Sequence, residues 1–309
     1  MAKSKAISQI SITVPATASN LGPGFDVLGM ALKLYNKLEV RRLGRGSPDR
    51  VEISGEGAED LPRGNSNLIV QTFKSSLGQC GSGFLFRMNN GIPLSRGLGS
   101  SAAARLAGLL AGAAFSRRTH KPGDIVSRAC ALEGHPDNVV PAFFGGLCGS
   151  VVEKGRIDYF RLRTPRAWTT VLCVPDIEVS TKKARRVLPR RVALRDAVFT
   201  SSRLALLIAA FSQGRPGWLK VAMRDVLHQP YRRRLVPGME KAIQAAEKAG
   251  AFGAALSGSG PTIIAFAPNA RTGRKSGEAM RKVFGRAGVS ARVMVLGVDP
   301  SGVRVRTSR

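Results

Sequence analysis

Pro93-Leu94-Ser95-Arg96-Gly97-Leu98-Gly99-Ser100-Ser101-Ala102-Ala103 carries an extended segment through a glycine-rich turn into a helix. Pro93 suits a chain that arrives extended. Gly97 and Gly99 allow backbone conformations that a side chain forbids, and close approach to a ligand. Ser100 and Ser101 are favoured helix-start residues. Ala102, Ala103, Ala104, Leu106, Ala107, Leu109 and Leu110 sustain a strong helix behind them. The first turn of such a helix presents unpaired N–H groups at the positive end of its dipole, which makes it an anion site. The anion to expect is a phosphate. Ser100 follows Gly99 directly, so the lysine of a Walker A loop is missing and this is a different phosphate loop. A serine hydroxyl here can ligate Mg²⁺ that bridges nucleotide phosphates.

Around this turn, the 309 residues suggest two domains, at about 150 residues each. The pattern restarts near Gly155, so we expect domains at 1–154 and 155–309. Strands are expected at 7–14, 36–42, 51–53, 83–88, 168–175, 262–267 and 291–297. Helices are expected at 67–77, 101–115, 122–133, 200–211, 219–227, 237–249 and 273–287. Residues 143–152 read as a glycine-rich strand region, and 253–262 as a small-residue turn. Strands and helices mix without strict alternation, which favours α+β layers.

Composition narrows the class further. The longest apolar runs, such as Leu204–Phe211, are far too short to span a bilayer. The N-terminal stretch lacks a long apolar region of the secretory kind, so the expected location is the cytoplasm. Cys80, Cys130, Cys148 and Cys173 form no CxxC pair and read as isolated buried thiols. His120, His135 and His228 are too scattered to suggest a metal cluster. The net charge of +28 comes from 48 Lys and Arg against 20 Asp and Glu. A basic balance often marks nucleic-acid contact. Here the arginines run along the whole chain, densest at 182–195, and aromatics that stack on bases make up only 6%. Nucleic acid is therefore expected to bind weakly and without specificity, if at all.

Four more segments are dense in turn and polar residues. Residues 15–29, PATASNLGPGFDVLG, end a strand and offer Asn20 and Asp26 to a polar ligand. Residues 133–146, EGHPDNVVPAFFGG, crowd Glu133, His135, Asp137 and Asn138 into one loop. A carboxylate beside a nucleotide site can hold Mg²⁺. Residues 180–189, STKKARRVLP, and 228–238, HQPYRRRLVPG, are arginine-rich, and arginine suits bidentate carboxylate recognition.

In this order, the segments resemble those of the GHMP kinase superfamily and, within it, the homoserine kinases. GLGSSAA is shared across the superfamily, whereas PATASNLGPGFD, EGHPDNV, the 181–185 segment and PYR at 230–232 are specific to homoserine kinases. Mevalonate and galactose kinases place a basic residue in the first of these loops; here it offers Asn20. The resemblance implies an α+β, two-domain GHMP kinase fold. Its N-terminal domain would be ribosomal-protein-like, its C-terminal domain a ferredoxin-like α/β sandwich.

The resemblance also implies roles. Pro93, Leu94, Ser95, Arg96, Gly97, Leu98, Gly99, Ser100, Ser101 and Ala102 would wrap the ATP phosphates. Asn67 and Leu68 would lie near the adenine. Ser101, with Ser100 as the alternative, and Glu133 would hold Mg²⁺. Asn20, Asp26, His135, Asn138, Thr181, Arg185 and Arg232 would surround L-homoserine. Asp26 would face its ammonium group, and Arg185 and Arg232 its carboxylate. No dedicated catalytic base is implied: Ser101 and Glu133 act through the metal, Asn138 orients the acceptor hydroxyl, and its proton passes to the γ-phosphate. A homodimer is implied as well.

Two other functions fit parts of this pattern. One is a GHMP kinase for another small alcohol, the other a non-catalytic basic member that binds RNA. Ala18-Ser19, Val140 and Ser259 depart from the usual pattern, and none is expected to touch a ligand-binding group.

Overall fold

The computed structural model describes residues 7–78, 82–116 and 121–308. Cys80 and His120 lie outside the described residues.

β1 (Gln9–Asn20) alternates between half-buried and buried residues at its start, then becomes buried throughout as it enters the core. β2 (Gly24–Arg45) is far longer than the strand expected at 36–42. Its early part, Leu28 to Leu32, is buried on both faces, so it carries no alternation, and Gly24 and Gly29 read as a loop. β3 (Arg50–Gly55), α1 (Leu68–Leu77), β4 (Ser82–Asn90), α2 (Ser100–Phe115), α3 (Pro122–Glu133), α4 (Val139–Phe144), β5 (Leu147–Glu153) and β6 (Arg156–Leu162) follow. Among the described residues the first sheet runs β1-β2-β4-β3, with β5 on the early part of β2 and β6 on β5. β3 and β4 are parallel, and the other pairs are antiparallel. Phe73 of α1 meets Phe84 and Phe86 of β4 edge-on at centroid distances of 4.8 and 5.0 Å, which ties the helical layer to the sheet.

The later part of the chain gives β7 (Thr169–Pro175), α5 (Thr181–Arg186), α6 (Leu194–Gln213), α7 (Leu219–Ala222), α8 (Gln229–Arg232), α9 (Met239–Lys248), β8 (Gly253–Leu256), β9 (Ile263–Ala267), α10 (Ala270–Arg286), β10 (Ala291–Leu296) and β11 (Arg304–Ser308). The second sheet is antiparallel in the order β10-β7-β9-β8. With α9 before β8 and α10 after β9, this is the β-α-β-β-α-β ferredoxin-like arrangement. β11 returns to the first sheet and pairs with β1, Gln9 opposite Ser308. Relative to the expected division at 154/155, β6 and β11 therefore join the first sheet from beyond it.

The helix expected over 219–227 stops at Ala222. The Asp225 carboxylate accepts the backbone N–H groups of Leu227, His228 and Gln229 at 2.9, 3.0 and 2.7 Å. An aspartate that offers the backbone such partners breaks one helix and starts the next. The expected turn at 253–262 begins as strand β8, since small buried residues carry neither alternation nor a β-branched signal. Cys130, Cys148 and Cys173 are free and buried as expected, and burial pushes the Cys148 thiol up to about 11.

Candidate functional site

The loops that leave both sheets converge on a cleft of about 200 Å³. One wall is the glycine turn. Gly97 and Gly99 both have φ of +71°, a left-handed conformation. A Cβ on Gly99 would lie 2.0 Å from Thr17 Oγ1, and one on Gly97 2.2 Å from the Ser257 carbonyl oxygen. The turn is pinned by Thr17 N–H donating to the Leu98 carbonyl at 3.0 Å and Ser257 Oγ donating to the Gly97 carbonyl at 2.7 Å. Gly99, rather than a serine, is the N-cap of α2. No side chain caps this end, and no acidic residue stands in its first turn. The N-terminal donors are thus open to an anion.

Glu133 ends α3 and meets the start of α2. Its Oε2 accepts from Ser101 Oγ at 2.9 Å and from Arg105 Nε at 2.9 Å. A hydroxyl and a carboxylate this close form the start of an oxygen-donor set for a hard divalent cation. The expected pairing of Ser101 with Glu133 is therefore present in space. Arg105 went unread, because a single arginine in a helix of alanine and leucine reads as a solvated face.

Beyond Glu133 the chain turns through His135, Asp137 and Asn138. His135 Nδ1 pairs with the Asp137 carboxylate in a short contact. Burial works against the imidazolium, but the Asp137 hydrogen bond and charge outweigh it, and the His135 pKa is raised. Asp137→Asn is expected to lower the pH at which His135 loses its proton. Titrating the ring by NMR checks this, and an unchanged midpoint would show that the pair does not hold the proton. Asn138 is tied on three sides. Thr17 Oγ1 donates to its Oδ1 at 2.8 Å, and its Nδ2 donates to Ser19 Oγ at 3.1 Å and Asp137 Oδ1 at 3.2 Å. Ser19 therefore touches a proposed ligand group, against expectation, and Ser259 lines the cleft.

The opposite wall carries matched charges. Arg185 clasps Asp26 bidentately, NH2 to Oδ1 at 2.8 Å and NH1 to Oδ2 at 3.1 Å. Arg232 is only 2% exposed. Its NH1 donates to the Gly258 carbonyl at 2.8 Å and to His228 Nδ1 at 3.2 Å. Burial, and then the charge of Arg185, lower its pKa to about 10, so it remains a cation at neutral pH. Both guanidinium groups lie over the Phe25 ring, at 5.7 and 5.3 Å. His228 is fully buried, and burial holds its pKa down. The hydrogen-bond network assigns the proton to Nε2, which donates to the Gly22 carbonyl at 2.8 Å and leaves Nδ1 to accept from Arg232. Asn20 and Asp26 have φ of +68° and +58°. The Asp26 N–H donates to Asn20 Oδ1, and Asn20 Nδ2 to the Gly258 carbonyl. Strain of this kind is held only where surrounding contacts over-determine it.

Most expected residues line this cleft: Asn20, Asp26, Pro93, Ser95 through Ser101, Glu133, His135, Asn138, Thr181, Arg185 and Arg232. Leu94, Ala102, Asn67 and Leu68 are not on its wall. The Asn67 amide is occupied as the N-cap of α1, accepting from Ile69 N–H and donating to the Pro62 carbonyl. Asp137 was read in its loop without a role. Thr17, His228 and Gly258 went unread, being polar atoms brought in from distant segments.

This pairing of an uncapped helix N-terminus with a charge-matched cleft defines a phosphotransferase of the GHMP kinase class. The chain matches the GHMP kinases N terminal domain over residues 67–146 and the GHMP kinases C terminal domain over residues 207–286. It is 42% identical to the homoserine kinase of Moorella thermoacetica over 92% of this chain and 96% of that one. It is 39% identical to the homoserine kinase of Microchaete diplosiphon over 96% and 97%. The crystal structure of homoserine kinase from Cytophaga hutchinsonii superposes with a TM-score of 0.85 at 29% identity, covering 99% of this chain and 100% of that one. A mevalonate kinase from L. major in complex with R-mevalonate shares the fold, with a TM-score of 0.70 at 17% identity over 94% and 96%. The chain belongs to the homoserine kinase family.

Proposed function

We propose that this enzyme transfers the γ-phosphoryl group of ATP to the side-chain hydroxyl of L-homoserine, giving O-phospho-L-homoserine for threonine biosynthesis. One observation carries the reading: the uncapped start of α2 opens onto the same cleft as Asp26, Arg185 and Arg232. One end receives phosphates and the other matches a zwitterion. Asp26 and Arg185 neutralise each other. The amino acid's ammonium replaces Arg185 at Asp26, and its carboxylate is taken by Arg185 and Arg232. An alcohol without these charges offers nothing in return for breaking the pair.

Residues 93–102 wrap the phosphates. Asn67 and Leu68 border the adenine through backbone and apolar surface, since the Asn67 amide is taken. Ser101 and Glu133 fit a magnesium ion as oxygen donors, with Ser100 as the alternative to Ser101. When bound, the metal neutralises phosphate charge. The cleft's carboxylates Asp26, Glu133 and Asp137 are partnered by Arg185, by Ser101 with Arg105, and by His135. None stands free as a base, which supports transfer by positioning and charge, with Asn138 aligning the acceptor. A coupled ADP-release assay over homoserine, threonine, serine, mevalonate and shikimate tests the reading. A clear preference for mevalonate, or ADP release independent of homoserine, would sink it.

The homoserine kinase relatives do not favour another small alcohol or a non-catalytic RNA-binding role. No helix among the described residues is long and apolar enough to cross a membrane. We place the enzyme in the cytoplasm as a homodimer, which sedimentation velocity tests. Given a net charge of +28 spread along the chain, duplex DNA and structured RNA are expected to bind weakly, with affinity falling steeply between about 50 and 200 mM salt. Sequence-selective binding that survives the higher salt would overturn the small-molecule role.

A further inference from the structure

Arg105 is the single charged residue of α2, standing one turn after Ser101 on the same helical face. Glu133 is electrostatically adverse where it stands, a carboxylate in the last residue of α3, where the dipole is negative. The two side chains are 21% and 10% exposed, and Arg105 relieves the carboxylate through Nε to Oε2 at 2.9 Å. Ser101 Oγ donates to that same oxygen.

We propose that Arg105 is a built-in cation at the divalent-metal position. It neutralises Glu133 while the site is empty, competes with the incoming metal, and so sets how strongly the enzyme depends on Mg²⁺. The inference rests on the reading of Ser101 and Glu133 as metal ligands. The chemistry is one of shared charge. A carboxylate bonded to a guanidinium is a poorer ligand for a hard cation than a free one, and the guanidinium repels a divalent ion a few ångströms away. Without Arg105, Glu133 keeps only a hydroxyl partner at a negative helix end, and the metal becomes its only source of positive charge. Arg105 is thus a positioning residue, acting on the metal through Glu133.

The test is calorimetric titration of the protein with ATP, without homoserine, once in EDTA and once at saturating Mg²⁺. The ratio of the two affinities reports the gain that Mg²⁺ confers, and needs no turnover. Arg105→Leu is expected to enlarge that gain by about tenfold, the scale of one charge at close range in a partly exposed site. Arg105→Lys, which keeps the charge, is expected to stay near wild type. Should the leucine variant fail to fold, Arg105→Gln carries the same test, since it removes the charge and keeps a polar contact. Glu133→Gln is expected to abolish most of the gain. If it does, and the neutral Arg105 variants show an unchanged or smaller gain, the proposal falls and the metal site stands. If Glu133→Gln keeps the full gain, Glu133 is not the ligand, and both the metal site and the role of Arg105 fall together.

Discussion

Glu133→Gln is expected to cut kcat by roughly 30- to 1000-fold, a loss of about 2–4 kcal/mol of transition-state stabilisation, on the scale of one preorganised electrostatic group. The substitution keeps size and shape. Ser101 Oγ and Arg105 Nε both donate to Oε2, and the amide oxygen in that place still accepts from them, so the meeting of α2 and α3 is kept. What disappears is the negative charge. The donor set for the divalent ion is weakened, and Arg105 loses its 2.9 Å ion pair. In phosphoryl transfer, charge neutralisation and positioning do nearly all the work, so the loss falls on the chemical step more than on homoserine binding. The KM for homoserine should stay close to wild type, because Asp26, Arg185 and Arg232 line a different part of the cleft. Steady-state kinetics beside a thermal melt separates the effect from unfolding. A folded variant within twofold of wild-type kcat would remove Glu133 from the metal site.

The phosphate loop was legible because its chemistry is local. Two glycines that need a left-handed backbone, and the helix they start, occupy one continuous stretch, and sequence reports what adjacent residues do to one another. Even there, the cap was misread. Serines favour N-caps in general, but the positive φ of Gly99 gives it that position and places Ser100 inside the helix. The ferredoxin-like half was legible as strands and helices, while its return to the first sheet through β11 was not. Residues 304–308 are exposed throughout and carry no apolar alternation.

What the sequence could not show was which charges neutralise which. Asp26 and Arg185 lie far apart in the chain and were assigned to opposite ends of a substrate. In the structure they hold each other. Asn138 was read for its amide, whereas Thr17 and Ser19, which hold that amide in place, sit in a strand end that reads as a tight loop. His228 was set aside as one of three scattered histidines. It is a buried ring, its pKa held down by burial, that joins Gly22 to Arg232. These are pairings across more than a hundred residues of chain, and neither periodicity nor composition encodes them.

Arg232→Ala is expected to raise the KM for homoserine by roughly 10- to 150-fold, the equivalent of about 1.5–3 kcal/mol for one side of a charge-assisted hydrogen bond. ATP binding should change far less, since the phosphate loop is held by Thr17 and Ser257 rather than by this guanidinium. The variant also leaves His228 Nδ1 without its donor in a buried place and takes one of two donors from the Gly258 carbonyl, which keeps Asn20 Nδ2, so some loss of thermal stability is expected alongside. The split between the two substrates is what distinguishes a carboxylate-binding arginine from a structural one: general loosening weakens both, and loss of the carboxylate contact weakens one. Arg232→Lys sharpens the test. It restores the charge without the planar fork, and should recover only part of the homoserine affinity. Arg233 and Arg234, the next two residues, are exposed and serve as controls whose alanine variants should leave both KM values unchanged. Equal losses for homoserine and ATP in Arg232→Ala would move Arg232 out of the substrate site, and the zwitterion reading of the cleft would then rest on Asp26 and Arg185 alone.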